Sequence, residues 1–328
     1  RVPFELFGRT PFPAVTAEPY MLTLGAHGFL WFALDPAPAR AGGGVVADRP
    51  RETPVPRVAV RHGWEDVLDP ALFDRLEGAL KAYLTDTVVH HGKARYLRDV
   101  HVLSAAKLPP PAAIALLTVN AELLDGEAQF RAVRLGFAGP DAAGGVAPGA
   151  VVAELTRGGE PAGVLFDART DPGYAAALLR GIGAGTAVPF ADGEVAAARF
   201  PRFADALAPD EVPEPIRLER SRQHDLTATY GSRAVLKTFE RLEAGVHPAV
   251  ELGRYLTEHT GYDRAVPVLG AVELRPGHGD PLTMAVLYGY VPNEGTAWQY
   301  TLDTLSRFYE GVLAHPLTPP PPAPADAW

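Results

Sequence analysis

The chain contains no cysteine, and this absence excludes several kinds of site at once. A disulfide framework, a thiolate metal site and a cysteine nucleophile are ruled out, so any chemistry must use oxygen and nitrogen groups. Long hydrophobic runs are missing as well. No apolar stretch reaches the roughly 18 to 20 residues that a membrane-spanning helix needs, and no signal segment opens the chain. These absences predict a cytoplasmic protein with no membrane partner.

Clustered positive charge is also scarce. The 30 Lys and Arg residues form no long block, and the formal net charge is −9. Because nucleic acids are bound by clustered Lys and Arg, we expect no nucleic-acid partner. What the chain does have is 47% hydrophobic residues over 328 positions, which is ordinary for a globular protein of two or three domains.

The first 56 residues differ in composition from the rest. The stretch "PYMLTLGAHGFLWFAL", residues 19–34, has aromatic residues on both sides of a Gly-containing turn and predicts a β-hairpin. Residues 35–56 are rich in Pro, Gly and Ala without periodicity, which is typical of a linker. Because the chain begins with Arg1 rather than Met, we expect it to be a segment of a longer protein.

The middle of the chain predicts alternating helices and hairpins. Apolar residues at helical spacing predict a helix within residues 65–84, with Asp69 as its N-cap. Strand patterns follow from position 96 to 137, and a second hairpin is predicted at Gly158 and Gly159. Asp171 is placed to cap a further short helix. These residues therefore predict an α+β fold.

A different order of elements follows from about residue 214. A strand and a turn precede the strand "RAVLKTF", which contains Lys237; a helix at about 248–259 contains Glu251, and two more strands follow. In the amino-terminal lobe of a kinase, a lysine on the third strand pairs with a glutamate on the next helix and reaches the phosphates of ATP. A half-buried ammonium is costly unless a carboxylate matches it. The alternative is an edge strand whose lysine points to solvent.

Two histidines and one aspartate can be considered as a metal site and as a catalytic base, and neither assignment is predicted. His90 and His91 are adjacent, so on a strand they would face opposite sides, and no matching ligand pattern accompanies them; we expect no metal site. The string "GHGDP", residues 277–281, lies between two predicted strands, so Asp280 is interpreted as a turn residue rather than a catalytic base.

Three separated stretches resemble bacterial maltokinases. The string "GSRAVLKTFERLEAGVHPAVELGRYLTEHTGYDRAVPVLGAVEL" resembles their ATP-binding lobe, and "PLTMAVLYGYVPNEGTAWQYTLDTLSRFYE" resembles the hinge and the segment after it. The string "DRLEGALKAYLTDTVVHHGKARYLRDVHVL" resembles their cap domain. In addition, "ELFGRTPFP" and "PYMLTLGAHGFLWFAL" resemble the carboxy-terminal β-domain of trehalose synthase, an enzyme that is fused to maltokinase in many bacteria.

The resemblance implies ATP-dependent phosphorylation of maltose to maltose 1-phosphate, with ATP and Mg²⁺ as cofactors and trehalose synthase as a fused or associated partner. It implies that Lys237 contacts the phosphates and that Glu251 orients this lysine. The loop before Lys237 departs from the family pattern at His224 and Asp225. The remaining residues implied to bind the nucleotide are Thr227 near the phosphates and the hinge residues Tyr288, Gly289, Tyr290 and Val291.

The expected fold is thus α+β, an antiparallel-sheet-rich cap domain followed by a protein-kinase-like N-lobe with the C-lobe absent. Because the catalytic residues of such kinases lie in the C-lobe, we expect none in this chain and no phosphoryl transfer by these residues alone. The expected boundaries are 1–34 for the trehalose synthase tail, 35–58 for the linker, 59–148 for the cap, 149–213 for an intermediate subdomain, 214–295 for the N-lobe and 296–328 for the truncated C-lobe.

Two other classes of function stay open. The chain could be a non-catalytic scaffold, a degenerate kinase module that links to trehalose synthase. It could also be a sugar-binding β-module centred on Trp31 and Phe32, although burial in a core is the expected explanation for these aromatics.

Overall fold

Two compact units make up the chain, Arg1–Gly289 and Tyr290–Trp328. The computed structural model describes residues 2–5, 10–11, 31–35, 54–87, 97–123, 127–190, 193–214, 216–220, 226–260, 262–293, 295 and 297–314.

A small antiparallel sheet lies at the amino terminus. Its strands are β1 (Val2–Glu5), β2 (Thr10–Pro11) and β3 (Phe32–Asp35), in the order β2-β1-β3. The predicted hairpin turn at residues 25–28 lies outside the described residues. The side chain of Trp31 is 61% exposed, so burial in a core is the wrong explanation for this aromatic.

Six strands form the sheet that we call the first sheet. Its order is β4-β8-β9-β7-β6-β5, and all neighbours pair antiparallel except β4 and β8. The antiparallel-rich α+β fold predicted from the sequence is therefore confirmed at this level. The strands are β4 (Arg57–Ala59), β5 (Leu97–Lys107), β6 (Ile114–Leu123), β7 (Ala128–Ala138), β8 (Val151–Arg157) and β9 (Glu160–Asp167).

Strand β6 is covered on both faces, which explains its continuous apolar run. Ile114 and Leu116 belong to one hydrophobic cluster, whereas Ala115 and Leu117 on the other face belong to a second cluster with helix α1 (Phe73–Thr87). Period-two alternation places neighbouring residues of a strand on opposite faces, so both faces need apolar cover. The helix predicted within residues 65–84 is thus found.

Seven strands form the second sheet, in the order β10-β11-β15-β16-β14-β13-β12. The helix α2 (Pro172–Ala184) precedes this sheet in the chain, and α3 (Pro248–Arg254) lies between β14 and β15. The strands are β10 (Ala187–Phe190), β11 (Gly193–Arg199), β12 (Ile216–Arg220), β13 (Leu226–Tyr230), β14 (Ala234–Thr238), β15 (Val268–Arg275) and β16 (Leu282–Gly289).

The segment predicted as an intermediate subdomain, residues 149–213, is divided between the two large sheets. Its first hairpin, β8 and β9, completes the first sheet, whereas β11 pairs with β15 from Glu194↔Arg275 to Arg199↔Gly270 and so extends the second sheet. The helix α2 packs in one large cluster with residues of both sheets. Non-local pairing of this kind does not follow from local sequence pattern.

Two aspartates cap helical turns as predicted. The side chain of Asp171 accepts a hydrogen bond from the backbone N–H of Gly173 at 2.6 Å and begins α2. Asp69 accepts from the N–H of Ala71 at 2.9 Å, but it begins a short 3₁₀ turn, and α1 starts four residues later at Phe73.

The second unit contains the helix α4 (Ala297–Ala314). Among the helices of the described residues, none is long and apolar enough to cross a membrane.

Candidate functional site

Lys237 occupies the fourth position of β14, in the interior of the second sheet. Ala234, Leu236 and Thr238 are buried on one face of this strand, whereas Val235 and Lys237 are half-buried on the other. Strand β14 pairs with β13 on one side and β16 on the other, so it is a central strand. The alternative of an edge strand is therefore excluded for β14.

Several predicted site residues share the face of the sheet that carries Lys237. Lys237 pairs with Thr227 on β13 and with Val286 on β16, and Val235 pairs with Tyr288. Directly paired residues point to the same side of an antiparallel sheet. The face that contains these five residues is called the lysine face below.

Helix α3 covers part of the lysine face. Val250 of α3 is buried in a cluster with Val268, Ala271 and Val286 of the sheet. Gly253 allows the close approach, because a Cβ atom there would lie 2.5 Å from Cγ2 of Val268. The apolar residues and the missing side chain together position α3 over the strands next to Lys237.

Aromatic rings connect Lys237 with the start of α3. Its Nζ atom lies 5.4 Å from the centroid of the Phe239 ring, and that ring stacks on His247 at 4.4 Å with an angle of 23°. His247 caps α3, because its Nδ1 atom accepts a hydrogen bond from the N–H of Ala249 at 3.1 Å. A cation over an aromatic ring gains roughly 0.5 to 1 kcal/mol at exposed sites.

Glu251 lies in the first turn of α3, exposed, and makes no ion pair with another described residue. The structure therefore does not form the predicted pair with Lys237. Helical geometry gives the reason. Residues of an α-helix are spaced by about 100°, so a helix that directs Val250 and Gly253 toward the sheet turns the carboxylate of Glu251 away from the buried side.

The four predicted hinge residues are divided between the two units. In the first, burial raises the pKa of the half-buried Tyr288 phenol. Gly289 is buried, its N–H donates to the carbonyl of Pro267 at 2.9 Å, and a Cβ there would lie 2.9 Å from Cγ of Pro267. The observed packing against Pro267 thus already accounts for a glycine at this position. In the second unit, the carbonyl of Val291 accepts a hydrogen bond from Nδ2 of Asn293 at 3.1 Å, next to Tyr290.

Other predictions fall on different parts of the chain. Asp280 is exposed in the connection between β15 and β16, as the turn interpretation requires. His90, His91, His224 and Asp225 lie outside the described residues. In the part of the chain that the structure describes, no group of three or more His, Asp or Glu residues could hold a metal ion.

A buried ionic cluster, which the sequence did not predict, lies on the other side of β14. Glu240, two residues beyond the strand, is 7% exposed. Its Oε2 atom accepts from Nη2 of Arg131 at 3.0 Å, and its Oε1 atom accepts from Nη1 of Arg169 at 2.6 Å. Nη1 of Arg134 lies 4.0 Å from the same Oε1 atom. Three buried guanidinium groups from distant segments thus surround one carboxylate.

Asp167 completes this cluster. It accepts hydrogen bonds from the hydroxyl of Tyr83 at 2.9 Å and from the N–H of Arg169 at 3.0 Å. Burial would raise the pKa of this carboxyl, but the charges of Arg169 and Arg134 outweigh burial and lower the pKa. Burial lowers the pKa of Arg131, and Glu240 opposes that effect.

Comparison with known proteins gives short sequence matches and longer structural ones. No family model matches the chain. A stretch of 34 residues is 65% identical to a trehalose synthase from Pimelobacter sp. (strain R48), and it covers 10% of this chain and 6% of that protein.

Solved structures of glucosamine kinase are similar over a larger part. The structure in complex with glucosamine, ADP and inorganic phosphate matches with a TM-score of 0.44 and 17% identity, over 77% of this chain and 46% of that chain. Another crystal form gives a TM-score of 0.43 and 18% identity. The chain thus spans less than half the length of the kinases it matches, and a small fraction of the trehalose synthase.

Proposed function

We propose that the lysine face of the second sheet binds the phosphates of ATP, and that the chain is the nucleotide-binding part of a kinase that phosphorylates maltose. One observation carries this proposal. Lys237 is half-buried on a central strand, on the face that the following helix α3 covers.

The order of strands supports the kinase interpretation. In kinases the phosphate-binding lysine lies on the third strand of the lobe, and the next helix lies beside it. Here β14 is the third of the five strands β12 to β16, and α3 follows it in the chain. These five strands are continuous in the sheet, in the order β12-β13-β14-β16-β15.

The chemistry of the lysine face suits a phosphate group. Lys237 supplies a cation on a strand that the sheet holds from both sides, and Thr227 supplies a hydroxyl at the paired position of β13. A fixed ammonium near apolar residues attracts an anion more strongly than one in water, because the effective dielectric constant is lower there. We assign to Lys237 contact with the phosphates and to Thr227 a hydrogen bond to a phosphate oxygen.

The adenine edge is assigned to the backbone of residues 288–291. Glu251 is proposed to orient Lys237, which requires a movement of α3, since its carboxylate lies off the side of the helix that packs on the sheet. Mg²⁺ would neutralise charge on the phosphates. Among the described residues no cluster of three or more His, Asp or Glu residues could hold this ion, so we assign it no step in this chain.

Maltose as the acceptor, giving maltose 1-phosphate, follows from the resemblance to maltokinases. The match to trehalose synthase supports the proposed link to that enzyme. It extends over 34 residues, which is the length of the segment 1–34 whose sequence resembles trehalose synthase. Fusion to trehalose synthase is accordingly part of the proposal.

A second candidate is a non-catalytic module that binds no nucleotide. The exposed Glu251 favours it, because an active lobe needs the lysine–glutamate pair in place. The two candidates differ in a single property, the affinity for Mg·ATP.

Calorimetric titration of the chain with Mg·ATP separates them. We expect saturable binding that Lys237→Met weakens at least roughly tenfold, as the loss of a charge-assisted contact of about 1.5 to 3 kcal/mol predicts. Lys81→Met is the matched control, since Lys81 lies on helix α1, which packs against the first sheet, and pairs with Asp99 at 3.6 Å. No binding by the unmodified chain, or equal binding by both variants, would contradict the proposal.

A further inference from the structure

The segment 240–242 joins the two large sheets. The N–H of Ala132 on β7 donates to the carbonyl of Glu240 at 2.9 Å, and the N–H of Leu242 donates to the carbonyl of Phe130 at 2.9 Å. Between these bonds Arg131 and Arg241 form an antiparallel bridge. The chain that leaves β14 thus pairs directly with a strand of the first sheet.

Side chains reinforce this backbone pairing. Glu240 binds Arg131 and Arg169, and Thr238 accepts a hydrogen bond from Nη2 of Arg134 at 3.3 Å. Thr238 also donates to the carbonyl of Leu226 on β13 at 3.4 Å. The buried side of the segment 238–240 is therefore held by three arginines that come from β7 and from the turn after β9.

Alternation along the strand links this buried side to the lysine face. Thr238 and Glu240 point to one side, and Lys237 with the Phe239 ring below it points to the other. While Glu240 keeps its contacts, this end of the strand cannot rotate about its own axis. The direction of the Lys237 side chain is therefore fixed by contacts on the opposite face of the sheet. Among the described residues, the three guanidinium groups pair with two carboxylates, Glu240 and Asp167, so the cluster carries an excess of positive charge.

We propose that Glu240 is a positioning residue for Lys237, and that the first sheet sets the affinity for phosphates through the Arg131–Glu240–Arg169 contacts. This inference rests on the proposed function. Neutralising Glu240 weakens its contacts with Arg131 and Arg169, which hold the end of β14, and so displaces this end of the strand and with it the ammonium of Lys237.

The test is Glu240→Gln, measured by the affinities for ATP and for adenosine. A change that acts through Lys237 concerns the phosphates alone, so ATP should bind roughly 2- to 30-fold more weakly while adenosine is unaffected. In the Lys237→Met background the same substitution should have no further effect on ATP affinity, because the residue it positions is gone.

Asp167→Asn is the matched control. It removes the other buried carboxylate of the same cluster, which belongs to β9 of the first sheet. The variant should lose about as much stability as Glu240→Gln, without a change in the ratio of ATP to adenosine affinity. Thr238→Val serves as a milder second variant if Glu240→Gln does not fold, and it should shift ATP affinity in the same direction. Equal weakening of both ligands, or additive effects in the double variant, would overturn the inference.

A measurement without nucleotide distinguishes failure of this inference from failure of the proposed function. The chain has four lysines, Lys81, Lys93, Lys107 and Lys237, so ¹³C-dimethylated lysine gives a simple NMR spectrum that lysine-to-arginine variants can assign. Glu240→Gln should move the Lys237 signal and leave that of Lys81 in place. An unmoved Lys237 signal would overturn the positioning role, whether or not the chain binds ATP.

Discussion

The two faces of the second sheet differ in how completely they are covered. The face toward α2, here called the closed face, contributes Ala228, Leu236 and Leu287 to a large cluster that includes residues of both sheets. The lysine face has a cluster of four buried residues, Val250 of α3 with Val268, Ala271 and Val286. The closed face therefore supplies most of the buried apolar contacts of this sheet, whereas the lysine face carries a half-buried charged side chain.

The largest expected effect concerns the buried charges behind the closed face. Asp167→Asn should cost roughly 3 to 5 kcal/mol near pH 7, since removing one partner of a buried pair leaves the other unmatched. The folded chain lowers the pKa of Asp167, and the unfolded carboxyl returns to about 3.9.

The pH dependence of this effect has a definite sign. Because the unfolded state binds more protons, the stability that Asp167 contributes is present above about pH 4 and is lost as the pH falls toward the folded value. Denaturant unfolding of both proteins at several pH values checks this. The difference between them should shrink on acidification below pH 4, and a difference that grows would contradict the assignment.

Leu236→Ala should have the next largest effect. Leu236 is 0% exposed on the closed face, and truncation of a buried leucine costs roughly 2 to 5 kcal/mol through lost burial and the cavity left behind. Val235→Ala, next to it on the lysine face, is the matched control and should cost clearly less. Urea unfolding measures both, and equal losses would remove the distinction between the faces.

Gly253→Ala tests the contact between α3 and the lysine face. The added methyl would meet Cγ2 of Val268, so we expect a loss of roughly 1 to 3 kcal/mol as the helix is pushed outward. Gly78→Ala on α1 is a suitable control, because a Cβ at that position has no neighbour within 4 Å. Thermal unfolding of the two variants would show whether the close approach exists, and a stabilised Gly253 variant would argue against it.

Lys237→Met should have the smallest effect on stability, within about 1 kcal/mol, because methionine keeps most of the apolar stem of a half-buried side chain. Because Leu236 is its neighbour in the strand, the difference in stability loss between Lys237→Met and Leu236→Ala compares the two faces of the sheet most directly. A loss as large as that of Leu236→Ala would mean that Lys237 is structural, and urea unfolding decides between these outcomes.

Local patterns predicted much of the second sheet. The strand that contains Lys237, the helix after it and the two strands at 268–275 and 282–289 all follow from hydrophobic periodicity and turn residues. The cap of α2 at Asp171 follows equally from its neighbours in sequence. Each of these features depends on residues only a few positions apart.

Features that depend on distant residues were not predicted. Glu240 meets Arg131 across 109 positions and Arg169 across 71, and no local pattern marks charged residues that will be buried together. The exposed position of Glu251 depends on which side of α3 packs on the sheet, which the motif alone does not specify. The addition of β10 and β11 to the second sheet is likewise a non-local pairing.

The most direct test of the central claim follows the dimethylated lysine signals while ATP is added. If the lysine face binds phosphates, the Lys237 signal should shift and saturate with ATP and stay in place with adenosine, while the signals of Lys81 and Lys107 stay unchanged. A Lys237 signal that is unmoved at saturating ATP, or that shifts together with the other lysines, would contradict the account.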